Sequence, residues 1–288
     1  VIRFVALVVL ALVAVVRADD RTADVQRLLD LLAGTQAHYR EAFEDGGDEL
    51  SSEVDLEEAR LLMTDACDLN RRLAIVPTAQ LDALLRDLDV RTGVATVAER
   101  LDAFRTTITA RTGIVPATLP QAPPSAARGR VLFQENCALC HGATGAGDGP
   151  DTKRLHLTPA DFTSVEFMRR ETPADFFTMI TMGRRKRGMP DWSSLSVQQR
   201  WDLIAYVWTL AYGDADRTEG TTLWTERCAA CHAHDLATPG RLADRDDRTL
   251  FVRLSRAPHL DATTGLTDAQ RWRLVAHARA LSLGGGAP

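Results

Sequence analysis

The chain lacks most features that would tie it to a membrane or to nucleic acid. After Asp19 no stretch is long and apolar enough to cross a bilayer. The net charge of −5 is too mild for a nucleic-acid binder. Methionine is absent after Met189. Cysteine is scarce, with five residues, and four of them fall into two Cys-x-x-Cys pairs. What remains is ordinary for a globular protein: 288 residues, 45% hydrophobic and 25% charged, enough for two or three domains with real cores.

The first residues read as a targeting signal. Arg3 gives a small positive start, and Phe4 to Val16 is an unbroken apolar run of signal-peptide length. Val16 and Ala18 supply the small residues expected before a cleavage site, so residues 1–18 are assigned to a signal peptide and the mature chain is expected to begin near Asp19. That places the protein in the periplasm or otherwise outside the cytoplasm, with no transmembrane segment in the mature chain.

Residues 19–115 read as a helical bundle. Val25, Leu28, Leu29 and Leu32 recur at helical spacing. So do Ala59, Leu62, Met63, Ala66 and Leu73, a run that Pro77 is expected to end. Thr78 is placed to cap a third helix carrying Leu81, Leu84, Leu85 and Leu88, stopped at Gly93. Val97, Leu101, Phe104 and Ile108 mark a fourth, stopped at Gly113. Residues 116–127 form a linker with four prolines: Pro116, Pro120, Pro123 and Pro124.

Beyond the linker the sequence repeats. Gly129 to His141 reads GRVLFQENCALCH, and Gly220 to His232 reads GTTLWTERCAACH. A second pair follows, LSVQQRWDLIAYVWTL from Leu195 and LTDAQRWRLVAHARAL from Leu266. Two copies of one small domain explain this, at 128–213 and 214–283, the second shortened by about 20 residues between its matching ends.

The chemistry lies in Cys137-x-x-Cys140-His141 and Cys228-x-x-Cys231-His232. One helical turn places both thiols to bond the vinyl groups of a haem, and the following His can point its imidazole at the iron. A zinc ribbon would want its cysteine pairs about 15–20 residues apart, far closer than these. A thiol–disulfide site would not require His after both pairs. Two covalent haem c groups are therefore expected, held by Cys137, Cys140, Cys228 and Cys231, with His141 and His232 on the irons.

Each iron needs a sixth ligand or an open site. For the first, Met189 in Gly188-Met189-Pro190 is the candidate, a thioether in a Pro-containing loop ahead of the closing helix. Met179 and Met182 fit a helical core better. For the second, aligning Leu195 with Leu266 puts His259 one position from the slot of Met189. His277 is the rival, on the closing helix where the first copy has Tyr206. His234 lies too close to His232 to reach the other face of the same haem.

Residues 128–213 resemble a class I cytochrome c domain. The resemblance is carried by Cys137, Cys140, His141, the Gly-rich stretch 142–149, Pro159-Ala160-Asp161-Phe162, Met189-Pro190 and the Arg200-Trp201 helix. Residues 220–283 resemble a trimmed copy without the Met loop. The fold implied is all-α: an N-terminal helical bundle followed by two cytochrome c-like domains. The segment Leu28 to Leu73, with Leu31, Tyr39-Arg40-Glu41-Ala42 and Asp45-Gly46, is similar to the helical part of the exported, cytochrome-containing front end of bacterial high-affinity iron permeases. No permease helices follow Gly284, so a permease partner would be a separate chain.

Two charge features bear on partners. Residues 41–65 hold ten acids against one base, Arg60. Such a face can collect iron through carboxylates, although a solvated helix face is the simpler expectation. Arg184-Arg185-Lys186-Arg187 precedes Met189 and could steer an acidic redox partner, or take the acidic bundle as its intramolecular partner. Cys67 is expected to be buried and inert, and His38 and His156 structural or exposed. The tryptophans are expected to pack in the cytochrome cores. The function expected is that of an exported diheme electron carrier for redox protein partners. It would serve periplasmic iron oxidation or uptake with a separate iron permease, or a membrane oxidoreductase. The competing reading is a haem enzyme, such as a peroxidase or an oxidoreductase subunit, working through an open second haem.

Overall fold

The computed structural model describes residues 2–43, 49–232, 236 and 238–285, with side chains from Asp20 onward except at 214 and 215. The acids Glu44, Asp45 and Asp48, together with His234, lie outside the described residues, as do the side chains of the expected signal peptide. The described residues are helical with no strand. No helix among them is long and apolar enough to cross a membrane. Two compact units form, one from 1–117 with 182–190, the other from 118–181 with 191–288.

The first unit is the bundle. Its helices are α1 (Ile2–Ala42), α2 (Glu53–Leu73), α3 (Thr78–Asp89) and α4 (Val94–Thr112). The 3.6-residue periodicity read from sequence turns into one core. Val25, Leu28, Leu29 and Leu32 of α1 pack with Leu56, Leu62 and Met63 of α2, Leu81, Leu84 and Leu88 of α3, and Val97, Leu101 and Ile108 of α4. Leu73, Leu85 and Phe104 border it half-buried.

The helix ends differ in detail from the expected ones. α2 stops at Leu73, ahead of Pro77, because Ala74 turns left-handed (φ 53°) and returns its N–H to the Asn70 carbonyl. The buried Asn70 amide then binds both the N–H (3.1 Å) and the carbonyl (2.9 Å) of Val76. Thr78 is the first residue of α3, with no side-chain cap, and Pro77 sits at the cap position. Gly93 opens α4, while Gly113 closes it at φ 72° as expected. Cys67 is fully buried and its thiol is pushed up to about 11, chiefly by burial, so it is inert.

Residues 182–190 pack with the bundle. Met182 is buried against Leu62 beside Gly34. A 3₁₀ turn at Arg185–Arg187 follows. Arg184 and Met189 face each other as an antiparallel bridge, with N–H to carbonyl bonds of 2.9 and 3.0 Å. The arginine run meets the acids of α1 and α2. Arg184 pairs with Glu41 at 2.6 Å, Arg185 with Asp65 at 2.6 Å, Lys186 with Glu57 at 3.0 Å and Arg187 with Asp55 at 2.7 Å. Glu58, 1% exposed, accepts the Lys186 backbone N–H at 2.7 Å. The acidic stretch is therefore not simply a solvated face, and the intramolecular pairing is the arrangement formed.

The second unit contains α5 (Ala126–Asn136), α6 (Ala138–His141), α7 (Pro150–Leu155), α8 (Val165–Met168) and α9 (Pro173–Met182), whose last residue belongs to the bundle unit. It continues with α10 (Val197–Ala211), α11 (Asp214–Arg227), α12 (Ala229–His232), α13 (Asp247–Leu254), α14 (Leu260–Thr263) and α15 (Asp268–Ser282). The repeat seen in sequence reappears as geometry. α10 and α15 are both 15 residues long, and each begins with a complete capping box, Ser196/Gln199 and Thr267/Gln270. α5 packs on α10 and α11 on α15. The contact is made possible by glycine at the same place in each copy. A Cβ on Gly129 would lie 1.8 Å from the Asp202 carbonyl oxygen, and one on Gly220 would lie 2.5 Å from that of Arg273.

A buried ionic cluster links the end of α10 to α13 and α15. Asp247, fully buried, accepts from Tyr212 Oη at 2.8 Å and from Arg279 Nε at 2.8 Å. The remaining Arg279 donors reach the carbonyls of Leu242 and Arg245. Burial and the adjacent Asp247 push the Tyr212 phenol well above its ordinary value. Every charge in the cluster has a partner, which is what makes it tolerable inside a protein.

Candidate functional site

Both Cys-x-x-Cys-His motifs fold into the same single turn. In the first, the N–H groups of Cys140 (3.2 Å) and His141 (2.9 Å) both return to the Cys137 carbonyl. In the second, Cys231 and His232 return to Cys228, each at 3.0 Å. Residues three apart on such a turn share one face, which is the spacing that covalent haem attachment needs. Neither pair is joined in a disulfide. Burial, with Cys140 adding to it, pushes Cys137 up to about 12, and burial also raises Cys228.

His141 is oriented from outside the motif. Its Nδ1 lies 3.2 Å from the carbonyl of Ala160, which fixes Nδ1 as the donor and leaves Nε2 for a metal. Phe162 stacks on the imidazole at 4.5 Å between centroids and 18° between planes, and Phe133 stands 6.5 Å away. Burial lowers the basicity of His141 more than the Ala160 contact restores it, which favours the neutral, ligating form. The Pro159-Ala160-Asp161-Phe162 stretch thus supplies both the hydrogen bond and the stacking ring.

The second motif has a different surround. His232 and His259 are brought together, 5.6 Å between ring centroids and 21° between planes. Trp224 stands 5.9 Å from His232 and 5.4 Å from His277. His277 Nδ1 is already engaged with Thr221 Oγ1 at 3.2 Å, so one of its two ring nitrogens is spent. Of the two rivals, His259 is the one stacked on His232.

Met189 is half-buried and belongs to the bundle unit with the rest of 182–190. Met179 and Met182 are buried, as their helical spacing indicated. Trp201 and Trp208 are core residues, 0% and 4% exposed, while Trp192, Trp224 and Trp272 are half-buried. His156 is exposed. His38 departs from the ordinary expectation for a structural histidine: it is fully buried, and neither ring nitrogen has a hydrogen-bond partner. The one sequence signal for it was Glu41 a single turn further along the helix.

The donors fit covalent haem. Thiols are paired on one turn, a tautomer-fixed imidazole follows the first pair, and a second imidazole lies beside the one that follows the second. No curated protein and no solved structure matched the chain. Residues 124–207 match the family described as cytochrome c oxidase, cbb3-type, subunit III, a span that includes Cys137, Cys140, His141 and Met189. The chain therefore contains a cytochrome c domain, and haem c and electron exchange with redox partners come with it.

Proposed function

We propose that this protein is an exported diheme c-type cytochrome that passes electrons between redox partners. The observation that carries the second haem is the repeated frame: identical Cys-x-x-Cys-His turns, each followed by a capped 15-residue helix packed on a matching glycine. Cys137 and Cys140 would hold one haem and Cys228 and Cys231 the other. His141 and Met189 would ligate the first iron, His232 and His259 the second. Haem supplies the one-electron chemistry. The chain fixes the ligands, excludes water with Phe133, Phe162 and Trp224, and sets the two potentials apart. Thioether ligation raises a haem potential relative to bis-imidazole, so electrons would run from the second haem to the first.

The apolar run 4–16 supports export, and covalent haem attachment outside the cytoplasm agrees with it. The acidic bundle, similar to the front end of iron permeases, supports service in periplasmic iron oxidation or uptake alongside an iron permease. The deciding experiment is the mass and haemochrome absorbance of the purified protein, with its EPR spectrum. Two covalent haems per chain, both low-spin, are expected. One haem per chain overturns the diheme reading. A high-spin second haem that binds carbon monoxide or peroxide would instead favour the enzyme reading.

A further inference from the structure

The bundle contains a group of metal-ligating side chains apart from the haem motifs. His38 and Glu41 lie one turn apart on α1, and Asp55 lies in the first turn of α2 behind the Ser52 cap. One ligand atom from each falls within 4.8 Å of the others, the group of this kind found among the described residues. His38 Nδ1 stands 3.8 Å from Asp55 Oδ1 and 4.0 Å from Glu41 Oε2, too far for hydrogen bonds. The imidazole is fully buried with both nitrogens unpartnered, a desolvation cost that a ligand would relieve.

We propose that His38, Glu41 and Asp55 form a binding site for a borderline divalent transition-metal cation, and that Arg184 and Arg187 compete with it. One imidazole with two carboxylates suits Fe2+, Mn2+ or Zn2+ better than Ca2+ or Mg2+. Metal–ligand bonds of about 2.0–2.2 Å would require the three donors to close up by roughly 1 Å, within reach of side-chain rotation on fixed helices. At present the guanidiniums hold the charge. Arg184 Nη2 lies 2.7 and 2.6 Å from the two Glu41 oxygens, and Arg187 Nη2 lies 2.7 Å from Asp55 Oδ2. Burial by itself would raise the Asp55 carboxyl, but contacts with His38, Arg187 and Ser52 hold it well below its ordinary value, so it is an anion ready to ligate. The segment would stay tethered when the arginines leave, because Glu58 accepts the Lys186 N–H. Identifying the cation as Fe2+ deepens the iron reading above and rests on it; the site itself does not.

The test is isothermal titration of the full haem-loaded chain with Zn2+, and with Fe2+ under anaerobic conditions, followed by dialysis and metal analysis. One equivalent is expected. Glu41→Gln, at a half-exposed position that folding tolerates, should weaken binding at least about tenfold. His38→Gln should do so as well. The pair Arg184→Gln/Arg187→Gln should tighten it by about tenfold or more, since the competing cations are gone. No bound ion, or an affinity unmoved by Glu41→Gln, overturns the site. An affinity unmoved by the arginine pair overturns the competition. Zn2+ binding in a chain whose iron chemistry fails would leave the site standing and remove the iron reading alone.

Discussion

His141 and His232 end the same one-turn helix, yet the groups around them differ. His141 is held by the Ala160 carbonyl and stacked on by Phe162. His232 has Trp224 at 5.9 Å and a second imidazole, His259, at 5.6 Å. The attachment turn and the two packed helices are what the copies share. The loops between them, long in the first copy and short in the second, are where they part. Under the proposed function, attachment would be specified by local helical sequence, and ligand identity by the intervening loop. On the diheme proposal, one frame would hold two haems of different potential.

The largest test of that comparison removes an attachment turn outright. Cys137→Ser/Cys140→Ser and Cys228→Ser/Cys231→Ser should each lower the covalent haem content from two to one, read by mass spectrometry. A pair that leaves the count unchanged breaks the equivalence of the two turns. The next exchanges loop ligands. His259→Ala should turn the second haem high-spin and leave the first untouched in EPR. Met189→His should lower the potential of the first haem towards that of the second, measured by redox titration.

A further contrast lies in the buried aspartates. Asp202 is buried, but its partner Arg128 is 58% exposed, reaching it by bonds of 2.7 and 2.9 Å. Asp247 pairs with Arg279, which is 1% exposed. Asp247→Ala would orphan a buried guanidinium and should cost about 3–5 kcal/mol in chemical denaturation. After Asp202→Ala, Arg128 can turn to water, and a loss of about 1–2 kcal/mol is expected. Equal losses would show that partner exposure does not govern the cost. Gly129→Ala and Gly220→Ala grade the packed helix pairs in the same way. Both should destabilise by about 1–3 kcal/mol, Gly129 more, because its Cβ would meet a carbonyl oxygen at 1.8 rather than 2.5 Å.

What was legible in the sequence follows from what is local. Val25 to Leu32 and Ala59 to Ala66 announce their helices because burial and spacing coincide. Cys137 to His141 and Leu195 to Leu210 announce the repeat because both copies carry them. Ala74 ending α2 was not legible, since an alanine in the left-handed region has no compositional mark. That the Arg184–Arg187 run could meet the acidic bundle was legible as one alternative, but which arginine takes which acid was not. Opposite charges far apart in the chain carry no periodicity to say which will meet. His38 reads as structural or exposed for the same reason: its exceptional state, buried without a hydrogen bond, exists only once α1 and α2 are packed.

The smallest expected effect sets Tyr206 against His277, which occupy the same position on α10 and α15. Tyr206 packs edge-on against Phe133 at 5.3 Å, and His277 stands 5.4 Å from Trp224. Burial lowers the His277 imidazole below its ordinary value of 6.5, so the folded chain takes up that proton less readily than the unfolded chain does. The unfolded state then binds more protons as the pH drops below 6.5, and stability falls with it; above 6.5 both states are neutral there and the effect vanishes. His277→Tyr gives the second copy the residue of the first and removes this titration. The variant should lose less thermal stability than the wild type on going from about pH 7 to about pH 5, measured by calorimetry. An unchanged pH slope would mean that His277 protonates in the folded chain as freely as in the unfolded one. The second helix pair would then be more open to water than its burial indicates.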